Sequence, residues 1–143
     1  MTGSLLLGTI MIAASVSIHT VGLMLVSRLL PTLVSAFRLH QQGGRIAAMM
    51  FVVLGIFLIL TVEIWFWAGC YVLLGVIPTF ESALYFSTTT FSTVGFGDVV
   101  LAPGWRLLAA LEGIGGFLLI GWSTAYLISA GTRVGPFKIG EHF

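Results

Sequence analysis

The chain has 143 residues, of which 58% are hydrophobic and only 8% are charged. Soluble domains carry about 25% charged residues, so this composition excludes an ordinary soluble protein and favours one embedded in a bilayer. A net charge of +1 without a basic run excludes a nucleic-acid partner. The one cysteine, Cys70, excludes an intrachain disulfide and a multi-cysteine metal site.

Three apolar stretches are long enough to cross a bilayer, which takes about 20 residues. They are Ser4–Leu30, Ile46–Ile77 and Trp105–Ser129. The first has no basic segment before it and is too long for the apolar core of a signal peptide, so we expect it to be retained. The predicted fold class is an all-α membrane protein with three transmembrane helices.

The basic residues predict the orientation of these helices. Five of the six fall on one side if the chain crosses three times: Arg28, Arg38, Arg45, Arg133 and Lys138. Because positive charge accumulates on the cytoplasmic side, we expect the N-terminus outside and the C-terminus in the cytoplasm. The brevity of the chain and its lack of a regulatory domain indicate, by analogy, a prokaryotic inner membrane.

The connector after the first span has its own pattern. Apolar residues recur there at near-helical spacing: Leu30, Leu33, Val34, Phe37 and Leu39. This predicts a short amphipathic helix on the inner interface. Gly43 and Gly44 are predicted to end it before the second span. It is either a lever that couples the first helix to a gate or an inert connector.

A segment too short to span lies between the second and third stretches. Pro78 stops the preceding helix, Thr79 caps the next one, and Glu81 sits in its first turn beside the positive end of the dipole. The helix is predicted to run to about Phe91. Because irregular backbone at membrane depth needs protein or water around it, we expect a re-entrant helix followed by a loop that lines a cavity.

The loop reads Thr93-Val94-Gly95-Phe96-Gly97-Asp98. Two glycines flank one aromatic residue, and glycine reaches left-handed backbone angles without a Cβ penalty. With Ala83–Ser87 and Gly121–Ala125, this run resembles the pore domain of potassium channels, and more narrowly small prokaryotic channels, here with one extra N-terminal helix.

The resemblance implies a selectivity filter. The backbone carbonyls of Thr93, Val94, Gly95 and Phe96 would bind potassium, and no other cofactor is implied. Each chain has one such loop, so three further copies of the chain would complete a homotetrameric pore. Gly97 and Asp98 would lie at the outer mouth, where Asp98 concentrates cations, braces the pore helix by a hydrogen bond, or does both.

The third span is predicted to line the cavity below the filter. The resemblance makes Gly116 a hinge, although a glycine there would also permit close helix packing. Counting i to i+4 along one face, and adding the neighbouring bulky residue, gives the predicted cavity and gate: Gly116, Phe117, Ile120, Thr124 and Ile128.

Polar residues inside the spans are candidates for function, because they are costly in a bilayer. At about 1.5 Å per residue, His19 and Glu63 lie at similar depths, so they are either a contacting pair or two separately satisfied groups. Glu112 either forms a hydrogen bond behind the pore helix near Thr89 or Thr90, which would set the conformation of the filter, or is a neutral structural carboxylic acid. The predicted filter support is Tyr85, Phe86, Thr89, Thr90 and Glu112.

These observations predict three regions: residues 1–45, a transmembrane helix with an interfacial segment; 46–131, a potassium-channel pore domain; and 132–143, a short cytoplasmic tail. The predicted function is passive, selective potassium conduction, not catalysis. Its expected partners are the bilayer, potassium ions, its own copies and an unidentified gating partner. A non-selective cation channel and a non-conducting subunit with the same fold are the alternatives.

Overall fold

The computed structural model describes residues 2–36 and 42–134, and all regular structure among them is helical. The helices are α1 (Thr2–Ala36), α2 (Gln42–Leu73), α3 (Phe80–Phe91) and α4 (Arg106–Val134). Three contain segments long and apolar enough to cross a membrane: Gly3–Thr32, Gly43–Leu73 and Arg106–Val134. The predicted all-α membrane fold is confirmed.

The connector differs from its prediction. Helix α1 continues through Pro31 to Ala36, so the first part of the predicted interfacial helix belongs to α1, while Phe37 and Leu39 lie outside the described residues. Gly43 and Gly44 lie within the first turn of α2 and do not precede it. Glycine weakens a helix by only about 1 kcal/mol, which the long apolar run that follows outweighs.

The second span also ends earlier than predicted. Helix α2 stops at Leu73, and Gly75 takes a left-handed φ of 66° that reverses the chain. The carbonyl of Tyr71 then accepts a bond of 2.9 Å from the amide of Val76. This turn brings the chain to Thr79, the N-cap residue directly before α3.

Side-chain contacts show how the long helices run. Ser4 donates to the carbonyl of Gly104 at one end of α1, and Ser27 contacts Tyr126 at the other, so α1 and α4 are parallel. Helix α2 runs opposite to both. Its later residue Trp67 contacts Ser15 of α1, whereas its earlier residue Glu63 contacts His19, which lies farther along α1. The start of α4 and the end of α2 therefore share one end of the bundle with α3.

Two buried clusters form the core. One surrounds α3 and includes Trp67, Tyr71, Phe86, Phe91 and Leu108. The other lies between the opposite ends of α1, α2 and α4, around Val26, Val52 and Ile59. Large apolar side chains remain uncovered elsewhere: Leu6, Leu54 and Phe57 are 68%, 61% and 69% exposed. Such faces suit hydrocarbon, which imposes no cost on apolar surface.

Helices α1 and α2 approach closely at two glycines. A Cβ placed on Gly22 would lie 2.6 Å from Cγ1 of Ile59, and one on Gly55 would lie 2.8 Å from Cγ2 of Val26. Both neighbours are β-branched and stiff in a helix, so they yield little. The two glycines therefore set the distance between the helices.

We expect Gly22→Ala to lower the free energy of unfolding by about 1 kcal/mol, because overpacking costs about 1–3 kcal/mol and the gain in helix propensity offsets about 1 kcal/mol. Gly69→Ala is the matched control, since a Cβ there meets nothing within 4 Å. Thermal unfolding in detergent compares the two variants. Equal shifts would show that the Gly22 contact does not set the helix distance.

Candidate functional site

The short helix α3 forms as its sequence predicted. Thr79 is the N-cap, and its hydroxyl oxygen accepts a bond of 3.2 Å from the amide of Ser82. Glu81 lies in the first turn, near the positive end of the helix dipole. The helix ends at Phe91, which is buried at 1% exposure.

The loop after α3 has a repeating backbone pattern. Thr93, Gly95 and Gly97 have φ values of 63°, 52° and 78°. Thr93 is the one non-glycine residue with positive φ in the described parts of the chain, so the residues between these three keep negative φ. Left-handed and right-handed residues therefore alternate from Thr93 to Gly97, and Thr93 carries the strain that glycine avoids.

This loop is tied to the end of α3 by backbone hydrogen bonds. The amides of Thr93 and Gly95 donate to the carbonyls of Thr90 and Thr89, each at 3.0 Å. The amide of Ser92 donates to the carbonyl of Thr88 at 3.2 Å. Helix ends leave carbonyls without partners, and here the loop supplies the donors. Thr89 and Thr90 thus support the loop through their backbone.

Two large side chains of the loop, those of Val94 and Phe96, are exposed in the single chain. Val94 is 55% exposed and Phe96 is 71% exposed, although both are large and apolar. Little of either side chain is covered by its own chain. Within one chain, the loop is therefore held through its backbone and through its last residue, Asp98.

Asp98 is held by the helix it follows. Tyr85 donates its hydroxyl to Oδ2 of Asp98 at 2.7 Å, and the amide of Val99 donates to Oδ1 at 3.1 Å. The Tyr85 hydrogen bond lowers the pKa of Asp98 and, for the same reason, raises the pKa of Tyr85. Asp98 is exposed, so one carboxylate both braces α3 and presents negative charge at the loop's outer edge.

Glu112 lies behind α3 with different partners from those predicted. It accepts hydrogen bonds from the hydroxyl of Tyr71 at 2.7 Å and from the hydroxyl of Ser87, and all three residues are buried. It does not bond Thr89, whose hydroxyl turns back to the carbonyl of Phe86. Ser87 lies on the buried face of α3, so it reaches the carboxylate.

Phe86 supports the same region by packing. Its ring meets that of Tyr71 edge-on, with centroids 5.4 Å apart. It is 5% exposed, whereas Tyr85, one residue earlier, is 41% exposed. The two aromatic residues therefore brace different sides of α3: Phe86 contacts the core, and Tyr85 reaches the loop.

His19 and Glu63 contact each other, as their predicted depths indicated. Nδ1 of His19 lies 3.0 Å from Oε1 of Glu63, and both side chains are fully buried. Nε2 of His19 faces the hydroxyl of Ser123 at 3.4 Å, so the imidazole bridges α2 and α4. Oε2 of Glu63 has no hydrogen-bond partner among the described residues.

The predicted cavity residues of α4 separate onto two faces. Gly116 is buried against α3, where a Cβ would overlap the backbone carbonyl of Phe91, and Ile120 is half-buried beside it. Phe117, Thr124 and Ile128 lie on the exposed face. The cause is that each step from i to i+4 turns about 40° beyond a full rotation, so the predicted row drifts around the helix.

This geometry combines three long apolar helices, a short inserted helix and a loop with alternating φ. A family model described as ion channel matches residues 59–133, which is more than half of the chain. The chain belongs to the ion-channel family. Searches of curated proteins and of solved structures found no match. Family membership and the three apolar helices make it a multi-pass membrane protein and point away from an enzyme.

The match begins within α2, so it includes the polar face of that helix, which the sequence did not lead us to connect with the loop after α3. Glu63, Trp67 and Tyr71 are spaced i, i+4, i+8 and therefore share one face. They contact His19, Ser15 and Glu112, on α1 and α4. The spacing of these polar groups in an apolar helix was the available signal.

We expect Gly116→Ala to abolish most of the channel's ion flux and to destabilise it by about 2 kcal/mol, because the overlapping atoms belong to backbone and cannot rotate away. Gly121→Ala is the matched control, since a Cβ there meets nothing within 4 Å. Liposome flux and thermal unfolding measure both effects. If Gly116→Ala loses ion flux but keeps its unfolding temperature, Gly116 acts only as a hinge. That result would contradict the close packing of Gly116 against Phe91.

The Tyr85–Asp98 bond predicts a pH dependence. Because the folded-state pKa of Asp98 is lowered, its stabilising contribution is complete above the ordinary aspartate pKa of about 3.9 and is lost as pH falls through the lower folded value. Thermal unfolding temperatures of the channel and of Tyr85→Phe should therefore differ by a constant amount above about pH 4 and converge below it.

Tyr126→Phe is the control for that measurement, because it removes a hydroxyl whose partner, Ser27, is neutral. Its difference from the unmodified channel should not vary over the same pH range. Convergence of both variants at low pH would assign the effect to general acid unfolding and contradict the role of Asp98.

Proposed function

We propose that this chain is a potassium-selective channel that conducts passively as a homotetramer. The alternation of φ at Thr93, Gly95 and Gly97 carries the proposal. In a strand with negative φ throughout, successive carbonyls face opposite sides. Reversing φ at every second residue turns alternate peptide groups, so that successive carbonyls face the same side.

A row of carbonyls on one side suits a dehydrated cation. In this proposal, the carbonyls of Thr93, Val94, Gly95 and Phe96 replace the hydration shell of potassium. One loop offers too few oxygens to surround an ion. Four loops around an axis supply four at each level, so the filter is complete only in a tetramer.

Surfaces left uncovered in one chain support this assembly. Val94 and Phe96 are exposed beside the loop, and Ile114, Phe117 and Leu118 on α4 are 66%, 72% and 61% exposed. In the tetramer these faces would meet neighbouring chains or line the cavity. Phe117, Thr124 and Ile128, on the exposed face of α4, are the proposed pore-lining residues.

Electrostatics favour cations at both ends of the filter. Asp98 keeps its charge to lower pH than an ordinary aspartate, and four copies would concentrate cations at the outer mouth. In this proposal, the C-terminal end of α3, which carries the partial negative charge of the helix dipole, faces the cavity. Potassium itself is the transported ion, and the proposal requires no other cofactor.

The positions of the arginines along the bundle determine the proposed orientation of the chain in the membrane. Arg28, Arg45 and Arg133 lie at the end of the bundle opposite the filter, which makes that end cytoplasmic and the N-terminus external. We assign the channel to a prokaryotic inner membrane, with the bilayer and three further copies as partners. A gating partner would act on the helices, since Gly116 fixes α4 to the filter region.

The test is the reversal potential of purified protein in a planar bilayer, with potassium on one side and sodium on the other. We expect a value near the potassium equilibrium potential. Gly95→Ala should move it toward zero, because a left-handed residue with a Cβ is strained by about 1–2 kcal/mol. Gly104→Ala, whose Cβ meets nothing within 4 Å, should leave it unchanged.

Two other results would contradict the proposal in different ways. A reversal potential near zero for the unmodified protein would indicate a non-selective cation channel. Absence of current from protein that assembles as a tetramer would indicate a non-conducting subunit. Measuring the assembled mass beforehand separates failure to assemble from failure to conduct.

A further inference from the structure

Two neighbouring cavities, of about 320 and 380 Å³, lie between the later halves of α1 and α4, and together they are called the groove. Ser27 and Tyr126 border both, and their hydroxyls lie 2.9 Å apart, which joins the two helices across the groove. The groove lies far from the filter loop, at the basic end of the bundle.

The groove combines apolar lining with two arginines. Leu23, Met24 and Leu30 supply apolar surface from α1. Arg28 from α1 and Arg133 from α4 border the two cavities, and both are exposed. Neither forms an ion pair within residues 2–36 and 42–134, where His19–Glu63 is the one ion pair present.

This chemistry fits an amphiphile with a negative headgroup. Arginine binds phosphate through a planar, two-pronged set of donors. Basic sites between transmembrane helices on the cytoplasmic side recognise anionic lipid headgroups, and each nearby arginine contributes about 1 kcal/mol. A soluble phosphate compound would use the arginines but not the apolar lining.

We propose that this groove binds an anionic phospholipid. Its phosphate lies between Arg28 and Arg133, and an acyl chain follows the apolar lining toward Leu23 and Met24. The two arginines belong to different helices, so the bound lipid links α1 to the part of α4 beyond Gly116. That part of α4 carries Thr124 and Ile128, which are proposed to line the pore, so a bound lipid would also affect ion conduction. This effect on conduction rests on the proposed function, whereas lipid binding itself does not.

The groove contains its own reporter. Trp122 lines the second cavity and is 43% exposed. Bromine on an acyl chain quenches tryptophan fluorescence at contact distance. The channel is reconstituted in phosphatidylcholine vesicles that contain brominated phosphatidylglycerol or, in parallel, brominated phosphatidylcholine. The same measurements on Trp122→Phe give the signal of the other three tryptophans, which is subtracted.

We expect Trp122 to be quenched at several-fold lower mole fraction by brominated phosphatidylglycerol than by brominated phosphatidylcholine. Arg28→Gln and Arg133→Gln should each reduce this preference by about fivefold. Arg45→Gln is the matched control, because it removes the same charge from the same end of the bundle but does not border the groove. It should keep the preference.

Three outcomes would overturn the proposal. Equal quenching by the two lipids would show that the headgroup is not recognised. An equal loss in Arg45→Gln would assign the preference to general surface charge. Quenching by neither lipid would show that protein, such as a second copy of the chain, covers the groove. Since no outcome depends on current, failure here is distinct from failure to conduct.

Discussion

The hydrogen bonds between the end of α3 and the loop that follows it, Thr93–Asp98, are the constraint on which the rest of the structure depends. A helix that stops inside a membrane protein leaves carbonyl groups without water to bond. The amides of Thr93 and Gly95 meet this need, and they do so only if the chain turns back on itself. The alternating backbone that suits a cation is therefore also the backbone that completes the helix.

Helix α3 must itself be held at a fixed depth for the loop to be useful. Two contacts do this along the buried face of α3: the carboxylate of Glu112 accepts from Ser87, and Gly116 lets α4 reach the backbone of Phe91. Both belong to α4. The helix proposed to line the pore thus also positions α3 and the loop after it, so a movement of its first half would disturb that loop.

The other half of α4 is held differently. Beyond Gly116 its polar contacts are to α1, through Ser123 with His19 and Tyr126 with Ser27. Helix α1 lies entirely outside the segment that matches the family, yet it contacts the part of α4 farthest from the loop after α3. This gives the additional helix a physical route to the pore: it contacts a section of α4 whose position is not fixed by α3.

The three spans, the capped short helix, the glycine-containing loop and the similar depths of His19 and Glu63 can all be predicted from the sequence alone. Those features depend on local composition, helical rise and backbone freedom, which can be read along the chain. The partners of Glu112 and the exposed residues of α4 emerge only from the folded structure. Both depend on how a helix is rotated against its neighbours, and three mostly apolar helices carry little periodic signal from which that rotation can be predicted.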